Sequence, residues 1–230
     1  MKRTTIMIAG LALAAAATPL LAEGPLNLYI KGGLVSSQGD TRDMTNKGHG
    51  YTLELGYIGA PASWDGLQYR VYGGTVTIPG DSGFSPWLRV DRGNGSETIP
   101  YSTYQAMTPS QQSAMTVFER KFSYDVRGNF IGFDMIHPVK LGNVPFNVFL
   151  GPSLHQWFVT RVNPNEPQGD RNWRAGWRVG LGLPVAKDIE LNLTYVFTEW
   201  RSKDAATMPY EKGGNPSRPA YLTLTGSYRF

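Results

Sequence analysis

Residues 221–230 read YLTLTGSYRF. Leu222, Leu224, Tyr228 and Phe230 alternate with Thr223, Thr225, Ser227 and Arg229, the period-two signature of a strand with one apolar and one polar face. Chain ends are usually polar and frayed, so alternation down to the last residue implies a strand paired along its whole length. The stretch LNLYIKGGL, residues 26–34, offers the partner: Leu26, Leu28 and Ile30 alternate there with Asn27, Tyr29 and Lys31.

The first residues read differently. MKRTTIMIAGLALAAAATPLLAEGP places Lys2 and Arg3 before an apolar run from about Ile6 to Ala17, then Pro19 and small residues, the order of a secretory signal peptide. The run is short for a spanning helix and Pro19 interrupts it. Residues 1–22 are therefore expected to be a signal peptide cleaved after Ala22, leaving 23–230, an ordinary length for one all-β domain. The chain carries a formal charge of +4, two of it from Lys2 and Arg3. So mild a basic balance gives no reason to expect nucleic acid. With no cysteine there is no disulfide framework, thiolate metal site or lipid-acylated cysteine.

Period-two runs bounded by turn residues fall at about 25–37, 49–59, 67–79, 123–137, 145–161, 172–184, 189–201 and 220–230. Their connections alternate in character. SQGDTRDMTNKG, residues 80–122, NPNEPQGDR and SKDAATMPYEKGGNPSRP are long and polar, whereas APASWDG, PVKLGNV and PVAKD are short. In an up-and-down barrel the odd and even connections gather at opposite ends, so this asymmetry reads as eight antiparallel strands whose two ends face different surroundings.

Alternation alone does not say which face is outside. A soluble barrel turns its apolar face inward around a ligand, and a membrane barrel turns it to lipid. Charges on the polar face, Lys31, Glu54, Arg70, Arg127, Arg174, Arg178 and Glu190, favour the membrane reading, with a lumen where opposite signs pair. Aromatic residues also cluster near strand ends, as interfacial girdles require. Tyr57, Trp64, Tyr69, Phe146, Tyr228 and Phe230 lie on the short-turn side, and Trp157, Phe158, Trp173, Trp200 and Tyr221 on the long-loop side.

These features together resemble the small eight-stranded outer-membrane barrels of Gram-negative bacteria, the OmpA, OmpX and OmpW type, over the whole mature chain. The resemblance implies an all-β, eight-stranded antiparallel up-and-down transmembrane β-barrel in the outer membrane. It also implies a porin-like cell-envelope protein whose closing strand, through Leu222, Leu224, Tyr228 and Phe230, is read by the barrel-assembly machinery. Two stretches depart from the pattern. Pro152 lies mid-strand, which demands a bulge or a break, and YDVRGNFIGFDMIHPV loses its alternation near Phe130.

Residues 80–122 are too long for a plain loop and are read as an extracellular insert. WLRVDRGNGSETIPYS suggests a hairpin turning at Gly93-Asn94-Gly95, and Thr108-Pro109-Ser110-Gln111 a capped helix start. A ten-stranded barrel using 84–90 and 97–104 is the alternative, but those runs are short for a tilted spanning strand.

Candidate chemistry is sparse. His49, His137 and His155 have no metal-site spacing, and neither a metal nor a cofactor is expected. Ser153 and His155 lie two apart on one strand face, but no acid accompanies them, so no catalytic residue is assigned. Arg161, Arg171, Arg201, Lys203, Lys212 and Arg218 fall on the long-loop side, where lipopolysaccharide phosphates are available to bind. The sequence thus predicts a monomeric structural and surface-interaction protein with a side-chain-filled lumen, in contact with outer-membrane lipid and lipopolysaccharide. A narrow channel or a carrier of small apolar ligands is the alternative, followed by a lipid-modifying enzyme using His155.

Overall fold

The computed structural model describes residues 27–46, 48–61, 66–91, 93, 95–162, 166–168, 173–198 and 219–230. Residues 1–22, read as a signal peptide, and Leu26, Trp64 and Trp200 lie outside them. Eight long strands make the barrel: β1 (Leu28–Gln38), β2 (His49–Gly59), β3 (Gln68–Ile78), β7 (Tyr124–Leu141), β8 (Val144–Arg161), β10 (Trp173–Ala186), β11 (Ile189–Thr198) and β12 (Ala220–Arg229). Each pairs antiparallel with its neighbour in this order, and β12 returns to β1. Tyr29 lies opposite Arg229 and Gln38 opposite Ala220, so the closing strand is paired as its alternation demands. A short strand, β9 (Glu166–Gln168), extends the end of β8.

Period-two alternation becomes inside and outside. Leu53, Leu55, Leu181, Leu191, Leu193 and Leu224 are exposed on the outer wall, while Thr52, Glu54, Asn192, Thr194, Thr223 and Thr225 are buried in the lumen. Leu222, Leu224, Tyr228 and Phe230 all lie on the outer face. Tyr228 and Phe230 meet edge to face with ring centroids 5.2 Å apart.

Strand β7 keeps its alternation where the sequence pattern suggests a loss. Tyr124, Val126, Phe130, Asp134 and Ile136 all face inward and Arg127, Ile131 and Met135 outward. The sequence pattern looks broken because apolar residues fill this part of the lumen. At Pro152, which has no N–H to donate, the β7–β8 pairing lapses opposite Phe133 and Asp134. It resumes in the same register, so the site is a break and not a bulge.

The same register corrects the girdle reading. Trp157 and Tyr221 are buried inside the barrel, at 1% and 2% exposure, instead of facing lipid. Odd positions of β8 point inward from Phe149 to Val159, and Trp157 is one of them.

Among the described residues, 80–122 add no strand to the barrel. Within them β4 (Trp87–Asp91), β5 (Ser96–Pro100) and β6 (Thr116–Lys121) form a separate sheet in the order β5-β4-β6. Leu88, Val90 and Ile99 give it a small core, against which Tyr104, Met107, Met115 and Val117 pack. The first long connection, read as a loop, contains the helix α1 (Gly39–Thr45), which ends on Asn46 in the left-handed conformation. Two short helices of the insert, α2 (Tyr101–Gln105) and α3 (Pro109–Ser113), join β5 to β6. Thr108 caps α3 reciprocally with Gln111, with Pro109 at the first helical position.

Candidate functional site: the filled lumen

The lumen is stratified, and the strand register sets the levels. Toward the short turns Glu190 accepts a hydrogen bond from Asn147 Nδ2 at 2.5 Å, and Asn192 Nδ2 donates to Ser227 Oγ at 3.2 Å.

Above this is a charged layer. Arg178, from β10, donates through Nε and Nη2 to Asp134 on β7 (2.9 and 2.6 Å) and through Nη1 to Glu54 Oε2 on β2 (2.6 Å). Arg70, from β3, donates to Asp134 Oδ2 from Nε and Nη2 (2.9 and 2.5 Å). Tyr29, from β1, donates its hydroxyl proton to Glu54 Oε1 at 2.5 Å. Two aromatic faces complete the packing: the Arg178 guanidinium carbon lies 3.3 Å from the Tyr72 ring centroid and that of Arg70 4.4 Å from Phe149. Five strands are thereby tied across the barrel axis. The two arginines and two carboxylates are tolerated in the interior because they pair with one another.

Toward the long loops the lumen turns apolar. Val35, Val76, Ile78, Tyr124, Val126, Trp157, Val159 and Tyr221 are buried together, and Met44 of α1 and Phe122 pack onto them. His155 stacks on Trp157, with centroids 5.6 Å apart and planes 9° apart. Trp157 Nε1 donates to Thr198 Oγ1 at 3.2 Å. Helix α1 is held over the mouth by backbone and side-chain bonds. Asp81 N and Ser123 Oγ both donate to Thr45 O (2.9 and 3.1 Å), and Ala220 N donates to Thr41 Oγ1 (3.2 Å). Gly128 is inward beside Trp157, whose ring carbons would stand 2.8–2.9 Å from an added Cβ. Only a glycine leaves that ring its place.

Between the charged and apolar layers is a cavity of about 20 Å³. A single water needs roughly 10–15 Å³ on this measure.

Four of the charges read as luminal from the sequence, Lys31, Glu54, Arg70 and Arg178, meet in this one layer. Arg174 also faces inward, half-buried and directly opposite His155 on the ladder, and Glu190 lies below the layer. Arg127 does not face the lumen: it is 64% exposed on the outer wall, 3.7 Å from Asp125. Among the basic residues assigned to lipopolysaccharide, Arg161 ends β8, while Arg171, Arg201, Lys203, Lys212 and Arg218 lie outside the described residues. Asp134, the carboxylate between the two arginines, escapes the sequence reading. It is flanked by Phe133 and Met135 in an apolar run, and only its even spacing from Phe130 and Gly132 signals an inward position.

Ser153 and His155 do meet, with Ser153 Oγ 2.9 Å from His155 Nε2. Both are buried, at 4% and 1% exposure, inside the wall rather than at a rim where lipid is. His155 Nδ1 has no hydrogen-bond partner among the described residues, so no acid there orients the ring as nucleophilic catalysis requires.

An apolar exterior around an ion-paired interior is the inverse of a soluble protein, and it suits hydrocarbon outside a closed strand ring. The chain is an eight-stranded β-barrel of the outer-membrane type. No known family model and no curated protein sequence matches it. Similar solved structures include the attachment invasion locus protein Ail of Yersinia pestis, at 10% identity and a TM-score of 0.45, over 90% of this chain and 100% of that one. Neisserial surface protein A is similar at 13% and 0.43, with the same coverage. A major outer membrane protein of Thermus thermophilus is similar at 14% and 0.46, again over 90% of this chain and all of that one.

Proposed function

We propose that the protein is a structural and surface-interaction barrel of the bacterial outer membrane, closed to solutes, which works through its long-connection end. The filled lumen carries this reading. An ion-paired layer and an apolar plug with a cavity of only about 20 Å³ between them support a lumen that does not serve as a channel or a carrier. Function then falls to what projects beyond the wall. The insert is the part built for it, since it holds its own sheet and core and is not a collapsed loop. In this arrangement the insert is extracellular, the signal peptide directs export, and Leu222, Leu224, Tyr228 and Phe230 present the closing strand to the assembly machinery. Arg161, Arg171, Arg201, Lys203, Lys212 and Arg218 are proposed contacts for outer-leaflet phosphates, since Arg and Lys bind anions well.

Two experiments test the two halves. A short epitope placed at Gly93, in the β4–β5 turn where φ is +88° and a Cβ would meet nothing within 4 Å, is expected to be stained by antibody on intact cells. The purified protein in planar bilayers is expected to show no conductance above leak. Staining only after permeabilisation would overturn the surface role, and resolved conductance steps would overturn the closed lumen.

A further inference from the structure

Charge in the central layer does not balance. Among the described residues, three buried cations, Lys31, Arg70 and Arg178, face two buried carboxylates, Glu54 and Asp134. Both carboxylates are committed. Asp134 accepts from Arg70 and Arg178, and Glu54 accepts from Arg178 through both oxygens and from Tyr29 through Oε1.

Lys31 is left over. Its ammonium has three N–H donors, yet its one hydrogen bond among the described residues is a long one, 3.5 Å to Thr194 Oγ1. It also contacts the Phe149 ring, 5.4 Å from the centroid. Glu54 is its direct cross-strand neighbour, but no ion pair joins the two. An ammonium with open donors, taken out of water and in direct contact with no carboxylate, is costly to keep.

The cavity adjoins this ammonium. Thr52, Thr194, Thr223, Tyr72 and His155 line it, Arg178 adds a second cation, and the Thr52 hydroxyl already donates to Thr75 O at 3.0 Å. Glu54 borders it as well, with its oxygens already engaged. Tyr72 Oη and His155 Nδ1, both buried, have no hydrogen-bond partner among the described residues. Its volume, about 20 Å³, is enough for a monatomic ion or a water.

We propose that this cavity binds a small monovalent anion of the halide class, with Lys31 as its charge partner and the Thr194, Thr223 and Tyr72 hydroxyls as donors. A water in the same place fills donors but leaves the layer one positive charge in excess. The anion does both. The proposal is independent of the surface role, because it concerns how the barrel is held together and not what it contacts.

Two measurements on the full-length folded protein in detergent decide it. Crystals soaked in bromide are expected to show an anomalous peak in the cavity beside Lys31. In solution, replacing gluconate with chloride at constant ionic strength is expected to raise Tm saturably, by roughly 2–4 °C. In Lys31→Met that rise is expected to vanish. Absence of the bromide peak, or a chloride response of equal size in Lys31→Met, overturns the assignment. If Lys31→Met does not fold, the bromide peak and the saturable response of the wild type decide the question, and a missing or non-saturating response counts against it.

Discussion

Arg178 touches two carboxylates and an aromatic face at once, so its partners are more informative to change than Arg178 itself. Asp134 is completely buried and accepts from both Arg70 and Arg178. Asp134→Ala leaves Arg178 with Glu54 alone and the buried Arg70 with no carboxylate partner among the described residues. Removing one member of a buried ionic cluster costs about 3–5 kcal/mol, because the remaining charges stay desolvated and unpaired. The variant is therefore expected to unfold at clearly lower urea than the wild type, followed by loss of the compact, unheated gel band. An unchanged midpoint would mean that water reaches this layer and the cluster is not sealed. Residue identity alone suggests the network without its centre. Lys31, Glu54, Arg70 and Arg178 stand out as charges in alternating strands, whereas Asp134 is masked by Phe133, Met135 and Ile136.

At the scale of the strand, how much is legible depends on what fills the lumen. Where inward residues are polar, as Thr52 and Glu54 on β2 or Asn192 and Thr194 on β11, alternation gives facing directly. Near the long-loop end the lumen is apolar, and hydrophobicity no longer separates inside from outside. Trp157 and Tyr221 look like girdle residues and are plug residues, and Arg127 looks luminal and lies on the outer wall. The ladder settles these positions, since neighbouring strands share facing at opposed residues. Helix α1 escapes notice because seven residues between turn formers carry too little periodicity to distinguish from a loop. Pro152 tests the ladder directly. Its missing N–H interrupts pairing with β7 while the register on either side stays the same, and pairing with β10 continues through Trp177. Pro152→Ala is expected to change stability by less than about 1 kcal/mol, since an outward alanine fits the extended backbone already there. Unfolding in urea measures this. A loss of several times that amount would mean that the proline ring, and not the register, holds β8 in place.

For the whole molecule, the question is whether the barrel closes itself or is closed by its insert. Most of the plug belongs to the strands: Val76, Ile78, Val126, Trp157 and Val159 are fully or almost fully buried on β3, β7 and β8. Helix α1 contributes Met44, and the insert contributes Phe122 at its end and Tyr101, whose ring meets Phe122 edge to face at 4.9 Å. The insert has its own core, and Trp87 and Lys121 are directly paired at its base. A short Gly-Ser linker therefore spans the ends when residues 88–120 are removed. This excised protein is expected to keep the heat-modifiable band of a folded barrel, because among the described residues no barrel strand pairs with β4, β5 or β6. It is also expected to remain silent in planar bilayers, since α1 and the strand-borne aromatics still fill the mouth. Conductance that appears only after excision would show that the insert is a lid on an otherwise open mouth. Loss of the folded band would show that the barrel needs the insert to assemble. Silence with a folded band leaves the insert free of any part in closure, so that its core and its two exposed edge strands are maintained for what they meet outside the wall.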